Sequence, residues 1–138
     1  MTGETLQPTR GKLERTIAQG IQALYRSQLG HQTSQALCNL LDNKLIIVIE
    51  NAITQPEKLL AQNGQEDLAS QVRVQLESVL ELQLKDLIKE VLGVRVTDLL
   101  TDATLETGRT ATIAILEFAP KFRDSNHKSK TQPKTAET

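Results

Sequence analysis

The sequence predicts an α+β fold: a mostly antiparallel four-stranded sheet with helices packed on one face, in the order α-β-β-α-α-β-β. Three observations carry this reading. The run Leu40-Leu41-Asp42-Asn43-Lys44-Leu45-Ile46-Ile47-Val48-Ile49-Glu50 is strand, turn and strand, because Asp and Asn tolerate the positive φ of a tight turn. It leads straight into Thr54-Gln55-Pro56-Glu57, the Thr-x-x-Glu pattern of a helix capping box. Helical segments flank this block, and two further strand segments close the body.

The first helix is expected from about Pro8 or Thr9 to Leu29. Leu13, Ile17, Ile21 and Leu24 recur at three- and four-residue spacing, with Lys12, Glu14, Arg15, Gln19, Gln22 and Arg26 between them, giving one buried stripe and one wet face. Gly20 inside this helix costs about 1 kcal/mol relative to alanine, so a close helix contact is expected there. Gly30 supplies the stop.

Ser34 to Leu40 and Leu45 to Asn51 read as the hairpin strands. The second is apolar without alternation from Leu45 to Ile49, which in a strand means that both faces are covered. Such a strand belongs in the middle of a sheet, or has its second face covered by another subunit. A short helix starts at the capping box and breaks at Asn63-Gly64.

From Glu66 to Leu92 a long helix is expected, with Leu68, Val72, Leu76, Val79, Leu80, Leu84, Leu87, Ile88 and Val91 on a broad face and Val74 and Leu82 outside it. At 1.5 Å per residue it runs about 40 Å, more than one small sheet covers. The excess length, with the second apolar stripe at Val74 and Leu82, is expected to serve self-association, so that Lys at either position should weaken assembly more than folding. Gly93 ends it. Two alternating strands follow, Val94 to Thr101 with Val94, Val96 and Leu100 on one side, and Thr110 to Phe118 with Ile113 and Ile115 against Thr112 and Ala114.

The 138 residues suffice for one domain with one core. Residues 1–119 are expected to form it, and residues 120–138 to be a disordered tail, because they are nearly devoid of aliphatic side chains. Lys121, Arg123, Lys128, Lys130 and Lys134 against Asp124 and Glu137 give the tail a charge of +3, leaving −4 for the body within a net charge of −1. One aromatic in that tail, Phe122, makes no stacking platform, so nucleic acid is not expected as a partner. There is no apolar run long enough to span a bilayer and no secretory signal pattern at the start, so a cytoplasmic location, at most peripheral to the membrane, is expected.

The side chains that could carry chemistry are few. Cys38 is alone and sits among strand formers, where a buried thiol is inert. His31 has no second His or Cys at ligand spacing. Asp98, Asp102 and Glu106 lack the spacing of an EF-hand loop and read as solvated carboxylates. Ser34, Ser70 and Ser78 have no nucleophile elbow or base in view, and Gly30, Gly64, Gly93 and Gly108 are isolated stops, with no phosphate loop among them. Arg73 with Glu77, and Glu81 with Lys85, are four apart and read as exposed helical ion pairs. No catalytic, cofactor or metal site is predicted.

Gly11-x-Leu13 opening the first helix, a Gly30 loop before a strand, Leu41-Asp42-Asn43, Leu45-Ile46-Ile47-Val48-Ile49-Glu50 before Ile53-Thr54-x-x-Glu57-x-x-Leu60, and Leu92-Gly93-Val94-x-Val96 together resemble a family of short bacterial proteins. That family is a domain of unknown function labelled as the C component (MpsC-type) of a Na+-translocating membrane-potential-generating system. The resemblance spans about Lys12 to Phe118. Members often carry a Gly-Arg-Gly-Pro type loop after the first helix, whereas this chain has Gly30-His31-Gln32-Thr33. The resemblance implies an accessory role near cation or bicarbonate transport, with a membrane transport-system protein as partner.

The expected function is therefore that of a non-enzymatic accessory or regulatory binding protein, working as a homodimer without a cofactor. The alternative is a small-ligand sensor with a pocket between sheet and helices, for which Gly30, His31, Thr54 and Glu57 are the candidate binding loop.

Overall fold

The computed structural model describes residues 7–123. Thr9 caps the first helix, α1 (Arg10–Leu29), by accepting a hydrogen bond from Lys12 N at 3.2 Å, and Pro8 stands just outside the helix. At the other end Gly30 adopts φ 60°, a left-handed turn that lets its N–H and that of His31 close on the Arg26 and Tyr25 carbonyls. Leu13, Ile17, Ile21 and Tyr25 form the buried stripe. Gly20 faces the long helix, where an added Cβ would stand 2.7 Å from a Leu87 methyl carbon; the absent side chain lets the two helices approach.

The hairpin strands are β1 (Gln35–Leu41) and β2 (Lys44–Glu50), joined by Asp42-Asn43 with Asp42 at φ 57°. After them come α2 (Gln55–Gln62), α3 (Glu66–Leu92), β3 (Val96–Thr104) and β4 (Arg109–Leu116). The sheet order is β1-β2-β4-β3 and every neighbouring pair is antiparallel. The α+β class and element order are those the sequence predicts.

The core lies between the inner sheet face and the helices. Cys38 and Leu40 of β1, Leu45, Ile47 and Ile49 of β2, and Ala114 and Leu116 of β4 meet Leu13, Ile17, Ile21, Leu80, Ile88 and Leu92 from the helices. β1 is an edge strand, and Glu14 of α1 covers part of that edge by accepting from Leu40 N at 2.8 Å. Burial, aided by the Glu14 charge, pushes the Cys38 thiol up to about 12, so it stays protonated.

Two strand faces differ from expectation. On β4 the inward residues are Thr110, Thr112, Ala114 and Leu116, while Ile113 is 41% exposed on the outer face. The pairing explains it: Ile49, Ile47 and Leu45 of β2 lie opposite Thr110, Thr112 and Ala114, so large residues on one strand meet small ones on the next. On β3 a register irregularity between Val96 and Asp98 resets the alternation, turning Leu99 inward and leaving Leu100 60% exposed.

The expected face of the long helix is buried or half-buried from Val72 to Val91 except at Val79, with Val74 and Leu82 exposed outside it. Ala69, Arg73, Leu80, Ile88 and Leu92 are the helix's buried residues, and Leu68 and Val79 are exposed. Beyond β4 the chain still belongs to the fold: Pro120 is buried, Phe122 packs against the core, and Arg123 N donates to Pro8 O at 2.8 Å. This corrects the expectation of a tail from residue 120. Residues 124–138, the rest of that expected tail, lie outside the described residues.

Candidate functional site

Thr54 and Glu57 form the expected capping box, but its glutamate is wholly inside the protein. Glu57 Oε1 accepts from Thr54 N at 3.0 Å and from the Thr54 hydroxyl at 2.8 Å. Arg73 then reaches across from α3. Its Nε donates to Glu57 Oε2 at 2.8 Å and its Nη2 to Glu57 Oε1 at 2.8 Å and to the Ala52 carbonyl at 2.9 Å. Glu57 is 0% and Arg73 4% exposed. Burial by itself would raise the Glu57 carboxyl, but the hydrogen bonds from Arg73 and Thr54 outweigh it and hold the group below its ordinary range. Arg73 is therefore a buried fork on Glu57, and its contact with Glu77 is the longer one at 3.9 Å. The sequence reading of Arg73 and Glu77 as an exposed pair fails because a four-residue spacing does not reveal what packs above it.

The other two candidate residues sit beside this lock. Gly30 is the helix stop already described. His31 Nε2 donates to the Asn51 carbonyl at 2.6 Å, and Asn51 Nδ2 donates back to the Gln32 carbonyl at 3.2 Å. Lys58 Nζ of α2 reaches Asn51 Oδ1 at 3.3 Å. The loop after α1 is thereby tied to the segment that leads into α2. The His31 ring is bonded to backbone, Thr54 and Glu57 are bonded to each other, and Glu57 is bonded to Arg73.

A cavity of about 230 Å³ opens between α1, α3 and the inner sheet face, and none of those four residues lines it. Tyr25, Glu77, Ser78, Glu81, Thr101, Thr110 and Thr112 supply its polar groups. Thr101 and Thr112 share a hydrogen bond at 2.8 Å, whereas Thr110 Oγ1 and Glu77 Oε2 are buried without a partner. These residues escaped the sequence reading. Thr on a strand is ordinary, and the available signal was three threonines in β3 and β4 where a sheet interior usually takes valine.

Burial raises the Glu77 carboxyl; Arg73 pulls it back, while the Asp102 and Glu57 charges push it further up. The Tyr25 phenol beside it is raised by burial and lowered by Arg73. A carboxyl whose folded value lies above the unfolded one, about 4.3, contributes stability that is complete below the unfolded value. That contribution is lost as pH rises through the folded value. Glu77→Gln should therefore raise the melting temperature at neutral pH, with the gain shrinking toward zero below about pH 4; melting curves across pH 3 to 8 check this, and a loss at neutral pH would overturn it.

The outer face of the sheet is the third feature. Leu37 and Leu41 of β1, Leu100 of β3 and Ile113 of β4 are exposed, with Ile46 and Val48 of β2 half-buried among them. The register aligns Asn39, Ile46, Ile113 and Leu100 in one row across all four strands. No helix among the described residues covers this face.

No curated protein and no solved structure matches the chain. Among the described residues no group of three or more His, Cys, Asp and Glu is placed to hold a metal ion, and no helix is long and apolar enough to cross a membrane. The family described as Na+-translocating membrane potential-generating system (MpsC) matches residues 9–118, which takes in every helix and strand from α1 to β4. A match over that much of the chain means that the protein belongs to the MpsC family.

Proposed function

We propose that this protein is a non-enzymatic accessory component of a Na+-translocating membrane system, acting by binding on the cytoplasmic side, and that it works as a two-fold dimer joined through the outer sheet face. The family supports the first part. The uncovered apolar sheet face supports the second. Soluble monomers seldom leave a contiguous apolar surface of that extent open.

The dimensions favour a second copy as the occupant. Four strands spaced about 4.8 Å and some seven residues long at about 3.4 Å each make a face of about 450 Å² in projection. Side-chain relief brings its accessible area toward the roughly 800 Å² per partner of a standard interface. The face has Ile46, Ile113 and Leu100 side by side at its centre, with Asn39 at the β1 end of that row, and charges at its margins, where Arg109 Nε bonds Glu50 at 2.9 and 3.0 Å. That is the layout of an interface with a dry centre and a polar rim.

Sedimentation at micromolar concentration should give twice the 15.3 kDa of one chain. Ile113→Lys should yield single chains with the denaturant midpoint of the folding core little changed, because a charge placed in the seam must be desolvated without a partner. Leu82→Lys, on the exposed side of α3, should leave the dimer intact. A wild-type mass of one chain would overturn the dimer, and dissociation by Leu82→Lys alone would overturn its placement on the sheet. Copurification with a Na+-moving membrane complex after mild solubilisation tests the accessory role; complete absence from that complex would refute it.

A further inference from the structure

We infer that the cavity between α1, α3 and the inner sheet face is a binding site for a small amphipathic cation, an ammonium group on an apolar body, with Glu77 and Thr110 receiving the charged head. The site lies on the helix side of the sheet, so it stands or falls independently of a dimer through the outer face.

The size sets the ligand class first. A cavity of about 150 Å³ holds a benzene ring, so about 230 Å³ holds a six-membered ring with a short polar arm. One side of the cavity is hydrocarbon: Ile21 and Leu24 from α1, Leu84 from α3 and Leu99 from β3. The opposite side is polar, and it is polar at a cost. Thr110 is 2% exposed, its Oγ1 faces the Tyr25 phenol without closing a hydrogen bond of ordinary geometry, and valine would have the same shape without that cost. A hydroxyl retained in such a place calls for a ligand atom to bond.

Charge decides the head group. Arg73 spends its Nε and Nη2 on Glu57 and Ala52, so its positive charge is largely matched by Glu57, and its Nη1, buried without a hydrogen bond, stands too far from Glu77 to bond it. Glu77 Oε2, 3.9 Å from Arg73 Nη1, is left buried without a hydrogen bond. Glu81 lines the cavity too, with Lys85 Nζ 3.2 Å away. The surplus at the polar side is thus negative. An ammonium group supplies three donors and the missing charge, whereas a carboxylate would meet Glu77 as a like charge.

The chain offers its own reporter. Tyr25 lines the cavity and is the single tyrosine of a chain without tryptophan, so intrinsic emission comes from this site. The full chain would be titrated with cyclohexylmethylamine, cyclohexylmethanol and cyclohexanecarboxylate, three probes that share one apolar body and differ in head charge. The amine should change Tyr25 emission and raise the melting temperature, with a Kd about ten-fold below that of the alcohol, as expected for one charge-assisted hydrogen bond. The carboxylate should be the weakest. Glu77→Gln should bring amine and alcohol to within about two-fold of each other, and Thr110→Val, which keeps the volume, should weaken both. Carboxylate binding equal to the amine, an amine preference that survives Glu77→Gln, or silence from all three probes at millimolar concentration would each overturn the site.

Discussion

Arg73→Ala should cost about 3–5 kcal/mol of folding stability, because it strands the Glu57 carboxylate inside the protein. Arg73 and Glu57 together are an expensive way to fill space, since both charges leave water, and their attraction roughly offsets that loss. Removing one partner keeps the desolvation cost of the other and forfeits the attraction. Glu57 would lose two hydrogen bonds of 2.8 Å and the Ala52 carbonyl would lose one of 2.9 Å. Urea unfolding of Arg73→Ala, Glu57→Ala and the double variant tests the argument. The double loss should fall well short of the sum of the single losses, as expected for groups in one network. Strict additivity would show that the pair is not the unit described.

The same lock should make the protein sensitive to acid. Glu57 is held below its ordinary value by Arg73 and Thr54. A depressed carboxyl contributes stability that is present above its unfolded pKa, about 4.3, and lost as pH falls through the folded value. Stability should therefore drop in acid more steeply in the wild type than in Glu57→Gln.

Ile47→Ala should cost about 2–5 kcal/mol and lower the urea midpoint by about 1–3 M for a domain of this size. Ile47 is 0% exposed at the centre of β2, between Cys38 of β1 and Thr112 of β4. The neighbours are fixed by two ladders, so the space left by the removed atoms cannot collapse fully. Ile46→Ala is the informative comparison, since Ile46 is only half-buried, on the opposite face of the same strand. Its effect on the core should be small and, if the outer face is a dimer seam, should depend on protein concentration. An unchanged midpoint in Ile47→Ala would refute the assignment of the inner face.

Much of this architecture was legible because it is written in local chemistry. Asp42-Asn43 makes a turn through its own backbone freedom, Gly30 stops α1 through its left-handed backbone, and the apolar run from Leu45 to Ile49 marks β2 as a strand of the core. The candidate residues were less so. Thr54 and Glu57 were visible as a capping box, but nothing near them in sequence shows that the glutamate is buried against an arginine sixteen residues away on another helix.

The order of the elements, their ends and the hairpin follow from local chemistry, since periodicity, caps and turns act between residues a few positions apart. The tertiary structure alone decided which face of β4 looks inward, that Arg73 turns from its helical neighbour Glu77 to Glu57, and that three threonines and a glutamate meet around a cavity. Those outcomes depend on cross-strand pairing, a register irregularity at Val96/Asp98 and the crossing of α3 over the sheet. Each is a contact between distant parts of the chain, whose energy goes to whichever partner packing brings within reach.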